Sequence, residues 1–169
     1  MVTGHAAVEA AVRLHAVAVD LFAGEPVNVG FGPRPGPVEA LDTVAIAYSE
    51  PDIPMITGTV DYQGIQAQRD QIEVSCLVSS LTGDEDDGPA RLARCFELMT
   101  RLAQQVLAVQ NPAPTSGLVQ VVPTAAGAHR ITWSGISRYQ TQWIRDSKLT
   151  GAQVLFPLAV AAHGSAITG

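Results

Sequence analysis

Apolar and polar positions recur along this chain with two different periods, and the period sets the elements. Over residues 6–22 apolar groups fall at Val8, Ala11, Val12, Leu14, Val19, Leu21 and Phe22, with Glu9, Arg13 and Asp20 between them. That spacing is closer to 3.6 than to 2 and predicts an amphipathic helix ending at Gly24. A cleaner helical stripe runs through Leu92, Phe96, Met99, Leu102, Ala103, Val106 and Leu107. Asp87 is its expected N-cap, and Asn111-Pro112 stops it near Gln110. Strict alternation marks 70–79, where Ile72, Val74, Cys76 and Val78 point one way and Glu73, Ser75 and Ser79 the other. Further strands are expected at 27–31, 118–122, 130–139 and 152–162, and at 41–48 with Val44, Ile46 and Tyr48 on one face and Thr43, Ala45 and Ala47 on the other. Residues 140–151 read as a loop joining the last two strands. Pro157 places the final strand at an edge or on a bulge, since proline cannot donate to a ladder.

Two connectors stand out. The run Gly32-Pro33-Arg34-Pro35-Gly36-Pro37 reads as a stiff loop, because three prolines in five residues forbid regular pairing. Residues 49–68 combine the turn formers Pro51, Pro54, Gly58 and Gly64 with Ile53, Met55, Ile56, Val60, Tyr62 and Ile65, which suits a projecting hairpin or ordered loop whose apolar groups pack on something else. No internal repeat or flexible linker divides the order of helix, strands, helix, strands. The expectation is a single α+β domain over 1–169, a mostly antiparallel sheet flanked by two helices.

Composition sharpens this. The 169 residues are 47% hydrophobic and 15% charged, and the mean hydropathy is +0.18. The longest nearly uninterrupted apolar run, 154–162, is far short of the roughly 20 residues of a membrane-spanning helix. The surplus apolar surface is therefore expected to lie in the core or against other subunits. The net charge is -6, and the ten basic residues, of which only Lys148 is a lysine, are scattered singly. No basic stripe exists to grip nucleic acid. Cys76 and Cys95 lie inside apolar periodic segments without metal-ligand spacing and read as buried thiols of a reducing compartment. The N-terminus lacks a signal peptide's positive region, so a cytoplasmic protein is expected.

Candidate chemistry is sparse. Asp84, Glu85, Asp86 and Asp87 form the one dense acidic cluster, but in an EF-hand register begun at Asp84, Gly88 and Pro89 fall where a ligand and the glycine belong. A solvated helix N-terminus is the stronger reading. Gly30-Phe31-Gly32 with Gly36 has the wrong spacing for a phosphate loop and precedes a strand rather than a helix. His5, His15, His129 and His163 lie on four segments with no nucleophile motif beside them. Trp133 and Trp143 read as packing anchors or interface hot spots. No catalytic, cofactor or metal residue is expected.

The order of segments carries a resemblance. After the N-terminal helix comes a strand reading Gly24-Glu25-Pro26-Val27-Asn28-Val29-Gly30, then a strand ending in Tyr48, then Arg69-Asp70-Gln71-Ile72-Glu73-Val74-Ser75-Cys76-Leu77-Val78-Ser79-Ser80-Leu81-Thr82-Gly83-Asp84, a long helix, and a last strand rich in small apolar residues. Over nearly the whole chain, as a pattern of segments, this resembles the tail terminator proteins of long-tailed, siphovirus-type bacteriophages. The resemblance implies a structural virion protein at the tail-neck junction, assembled in the host cytoplasm. Its homo-oligomeric ring, a hexamer, caps the tail tube, ends its polymerisation and meets a head-side connector or stopper. The family brings no catalytic residues and no cofactor, and DNA passes through its ring without specific binding.

On this reading the apolar contacts to the tube or to neighbours fall on Ile53, Met55, Ile56 and Tyr62, with Trp143 and Ile144, and the acidic residues 84–87 belong to the lumen or surface. Alternatives are a neck connector or stopper, a small-molecule enzyme or binding subunit, which needs a pocket with perturbed titratable groups, and an unrelated oligomeric domain.

Overall fold

The computed structural model describes residues 3–32, 42–62, 67–83, 87–110, 121–124, 127–145 and 149–165. Both helical stripes form helices, α1 at Thr3–Leu21 and α2 at Gly88–Gln110. Just past α1, Gly24 sits at φ 80°, the left-handed backbone that ends helices and that glycine adopts without steric cost. The described strands are β1 Val27–Phe31, β2 Asp42–Ile46, β3 Ile56–Tyr62, β4 Ala67–Thr82, β5 Val121–Thr124, β6 Gly127–Ile136, β7 Gln140–Arg145 and β8 Thr150–Ser165.

All eight described strands belong to one sheet. Its spine is β4 against β8, 16 residues each, paired antiparallel from Ala67↔Ser165 to Thr82↔Thr150. Each long strand carries two short strands in tandem on its outer edge. On β4, β2 pairs with 76–80 and β3 with 68–74. On β8, β7 pairs with 150–155 and β6 with 158–164. β1 adds to β2, in parallel, and β5 to β6, antiparallel. The sheet thus has two halves that share their centre, β1-β2-β4-β8-β7 and β3-β4-β8-β6-β5. The expected α+β class holds: a mostly antiparallel sheet with two helices.

Both helices lie on one face. The alternation read in β4 is observed there: Ile72, Val74, Cys76 and Val78 are buried with Val154, Phe156, Leu158 and Val160 of β8, under Leu14 and Val17 of α1 and Leu98, Leu102 and Val106 of α2. Trp133 of β6 is 2% exposed within this core, the packing anchor expected of it. Cys76 and Cys95 are free and buried. Burial raises both thiols, Cys95 to about 11, so neither supplies a thiolate near neutral pH.

Several expectations are corrected. Residues 140–145, read as loop, form β7, and the strand expected at 118–122 is β5 at Val121–Thr124, residues 118–120 lying outside the described residues. Tyr48 is not on the face of Val44 and Ile46. Ala47 has φ 52°, which breaks the alternation, so Ala47 joins the main core while Tyr48 packs with Ala45 and Leu77 on the helix-free face. Pro157 lies in a central strand rather than at an edge. Ser75, its partner on β4, uses its own carbonyl for the Tyr48 amide and its own amide for the Met55 carbonyl, both on the outer side. Ser75 and Pro157 are therefore a non-hydrogen-bonded pair, and the proline nitrogen points to the opposite side of β8. There it meets the gap between β7, which ends its pairing at Leu155, and β6, which starts at Leu158. No ladder bond is lost. The hairpin expected in 49–68 is present as β3 and the start of β4, with 63–66 outside the described residues, as are 33–37 of the proline-rich loop.

Candidate assembly surfaces

α1 is apolar on two sides. Its inner side buries Ala6, Ala10, Leu14 and Ala18 completely. On the other side Val8, Val12 and Val19 are 57%, 50% and 43% exposed. At 100° per residue these three and His15 fall within about 60° of arc, opposite the inner side. Phe31, at the end of the edge strand β1, extends the stripe: it is 48% exposed and meets His15 edge to face at 5.5 Å. A helix that is apolar all round is normally one that is buried all round. An amphipathic reading of residues 6–22 puts Val8, Val12 and Val19 on the one apolar face of the helix. The missed signal was angular, because these residues cannot share a face with Leu14.

A second exposed apolar group lies at the β7 edge. Trp143 is 62% exposed and stands beside the start of α2, where a Cβ on Gly88 would lie 3.5 Å from its ring. Ile144 is half-buried and borders a hollow of about 240 Å³ with Trp143, Arg145 and Gly151. Tyr139, also exposed, packs edge to face on Phe96 of α2 at 5.3 Å.

The other sequence-derived candidates are spread out. Ile53 packs with Tyr48, Leu77 and Leu155 on the helix-free face. Ile56 is half-buried against the main core, so it stabilises the subunit itself. Met55 is 52% exposed. Tyr62 ends β3 in register with Gln68. β3 lies on the outer edge of β4 and β7 on the outer edge of β8, in different halves, so the structure does not bring the two sets together. Of the acidic cluster, Asp84, Glu85 and Asp86 lie outside the described residues, while Asp87 precedes α2 and pairs with Arg91 at 3.1 Å.

Much of the positive charge is neutralised internally. Asp42, buried at the start of β2, accepts hydrogen bonds from Ser80 Oγ at 2.6 Å and Arg94 Nε at 2.9 Å. Arg94 also reaches Glu97 at 2.8 Å, and Arg101 donates to Glu25 at 3.0 Å while lying over the Phe22 ring. This network ties α2 to the turn between α1 and β1. Sequence reasoning had no signal for it, since its members lie far apart in the chain. The Arg101 hydrogen bond holds the Glu25 carboxyl below its ordinary range. A carboxylate depressed in the folded state stabilises above its unfolded pKa, about 4.3, and that contribution is lost as pH falls through the folded value. Glu25→Gln is accordingly expected to lower the melting temperature at pH 7 and to narrow its gap from the parent protein at pH 3, which thermal melts at the two pH values would read.

The helix-free face combines the small apolar cluster around Leu77 with polar groups. A trough of about 530 Å³ there is lined by Tyr48, Glu50, Ile53, Leu77, Gln140, Gln142, Gln153 and Leu155. The Tyr48 hydroxyl donates to Glu50, and Gln153 donates to Gln142 at 2.7 Å. On the same face Arg138 makes two hydrogen bonds to Glu73, at 2.8 and 2.9 Å. These are hydrogen-bonding groups arranged as mutual partners, an arrangement suited to a wet surface rather than to proton transfer. Among the histidines, His15 meets Phe31, and His129 of β6 pairs in register with Gly164.

No family model matches the chain, and no curated protein does. Among solved structures it is similar to a chain of the virion of a native gene transfer agent (GTA) particle, covering 96% of this chain and 94% of that one at 16% identity, with a TM-score of 0.39.

Proposed function

We propose that this chain is a structural subunit of a phage-type virion and that it forms a ring that caps a tail tube, ends its growth and meets the head-side connector. The observation that carries the reading is the outer stripe of α1. Val8, Val12 and Val19, continued by Phe31, present apolar surface that the subunit's own core does not use. Such a stripe calls for a neighbour. The order of sequence segments, which resembles that of the tail terminators, says what kind of neighbour.

Electrostatics agree. A ring that lets DNA slide must not hold phosphate. The net charge of -6 repels it, and Arg91, Arg94, Arg101 and Arg138 each pair with a carboxylate of the same chain.

The test is to add the purified protein to a tail tube protein that is polymerising, and to measure tube length and end structure by negative-stain microscopy. Shorter tubes bearing a ring at one end support the reading, and tubes of unchanged length with bare ends contradict it. In this account Met55, exposed just before β3 and away from the α1 stripe, faces the tube. Met55→Asp is expected to weaken capping at least tenfold, read as the concentration needed to halve tube length, and to leave ring mass unchanged.

A further inference from the structure

The ring reading leaves open which surface of the neighbour covers the α1 stripe, and the sheet answers this through its two edges. In the half ordered β1-β2-β4-β8-β7, β1 pairs only with β2 and β7 only with β8 among the described residues. Both edges are short, five and six residues, and each leaves one side of its backbone without a strand partner. Four strand spacings, about 19 Å, separate them.

Direction and facing match as well. β1 runs parallel to β2, β2 antiparallel to β4, β4 antiparallel to β8, and β8 antiparallel to β7. β7 therefore runs opposite to β1. Rotation about an axis along the strands places β7 of one copy beside β1 of the next as an antiparallel neighbour. Trp143 pairs with Ala152 and Phe31 with Ile46, both of which point into the helix-covered core. Trp143 and Phe31 thus lie on the same face of the sheet, the face on which α1 sits.

We infer that the ring closes by edge addition: β7 of one copy continues the sheet at β1 of the next, and Trp143 slides beneath that neighbour's α1, against Phe31 and the Val12–Val19 side of the stripe. Charge agrees with this alignment. α1 runs back along β1, since His15 meets Phe31, so Asp20 lies toward the start of β1. Antiparallel docking brings Arg145, at the end of β7, to that same end. Asp20 and Arg145 are both exposed. The contact is heterologous, each copy offering one edge of each kind, and it can close a ring. The occupant of the stripe is a second copy of this chain.

The inference rests on the ring reading, and one experiment separates the two. Ala16 flanks the stripe and Thr141 lies on the Trp143 side of β7; both are exposed, so neither removes an anchor. The native cysteines are buried. A chain carrying both Ala16→Cys and Thr141→Cys, treated with a short bis-maleimide, is expected to give a denaturing-gel ladder of covalent multimers up to the ring number. An equimolar mixture of the two single variants is expected to stop at dimers, and either variant alone to give none. Particles with ring mass that give no ladder, or that cross-link as a single variant alone, would overturn the edge pairing and leave the ring reading standing. A protein that stays monomeric would overturn both.

Discussion

Val12→Asp is expected to leave the subunit folded and to abolish its assembly. Val12 is half exposed on α1, opposite the side that packs in the core, so an aspartate there meets water in the isolated chain. Exposed helix positions of this kind tolerate polar residues at a cost of a few tenths of a kcal/mol. In the proposed ring the same carboxylate would face the neighbour's apolar β7 edge. Burying an unpaired charge there costs about 3 kcal/mol per contact, roughly a hundredfold in each subunit affinity. A ring multiplies that loss by every contact that must close. Sedimentation at micromolar concentration should show the variant as a monomer with an unchanged melting temperature and far-UV circular dichroism. A variant that unfolds would instead place Val12 in the subunit core, and one that assembles normally would remove the stripe from the interface.

Gly151→Ala is expected to have the largest effect on the fold. Gly151 faces Leu81 across the central strand pair, and a Cβ at this position would lie 2.1 Å from the Ser80 carbonyl oxygen and 2.8 Å from the Leu81 Cα. Both obstacles are backbone, and β4 cannot retreat from β8 without disturbing the longest ladder in the sheet. The strain is expected to cost about 3 kcal/mol, at the upper end for overpacked sites, and to lower the melting temperature by about 9 °C in a chain of this size. Gly83 is the control, since nothing lies within 4 Å of a Cβ there and its alanine variant should melt with the parent protein.

The strand β4 and the helix α2 were legible because one face of each is buried without interruption, which writes the period into the sequence. β7 was not. Its residues Gln140, Thr141, Gln142, Trp143, Ile144 and Arg145 are almost all exposed, so no alternation distinguishes them from a loop. What makes them a strand is the long partner β8, and sequence does not show that a 16-residue strand serves two short ones in turn. The same sharing explains Pro157: a central proline is forbidden in a continuous ladder, yet it fits where two edge strands meet end to end. Tyr48 was misplaced because the positive φ of Ala47 shifts the phase, and alanine gives no sign of such a backbone.

The exposed apolar surface was legible in amount but not in place. The hydropathy of the whole chain signals surplus apolar surface, and the sequence pattern points to 49–68, where turn formers surround apolar groups. Part of that surplus is consumed at home, by Ile53 on the helix-free face and Ile56 against the main core. A further part lies on α1, at Val8, Val12 and Val19, inside a helix whose two apolar sides read as one in the sequence. Trp143, an interface candidate from its residue type, is exposed on the edge strand β7.

In the proposed assembly the free subunit is a building block whose exposed α1 stripe is covered by copies of itself. The most direct measurement is the mass of the purified protein in solution, by sedimentation velocity or native mass spectrometry at micromolar concentration. The account predicts a closed particle at a fixed multiple of the 17.7 kDa chain, six copies and about 106 kDa if the ring is the hexamer that the resemblance implies, seen as a ring with a central pore in the microscope. A species of 17.7 kDa that persists as the concentration is raised would contradict it.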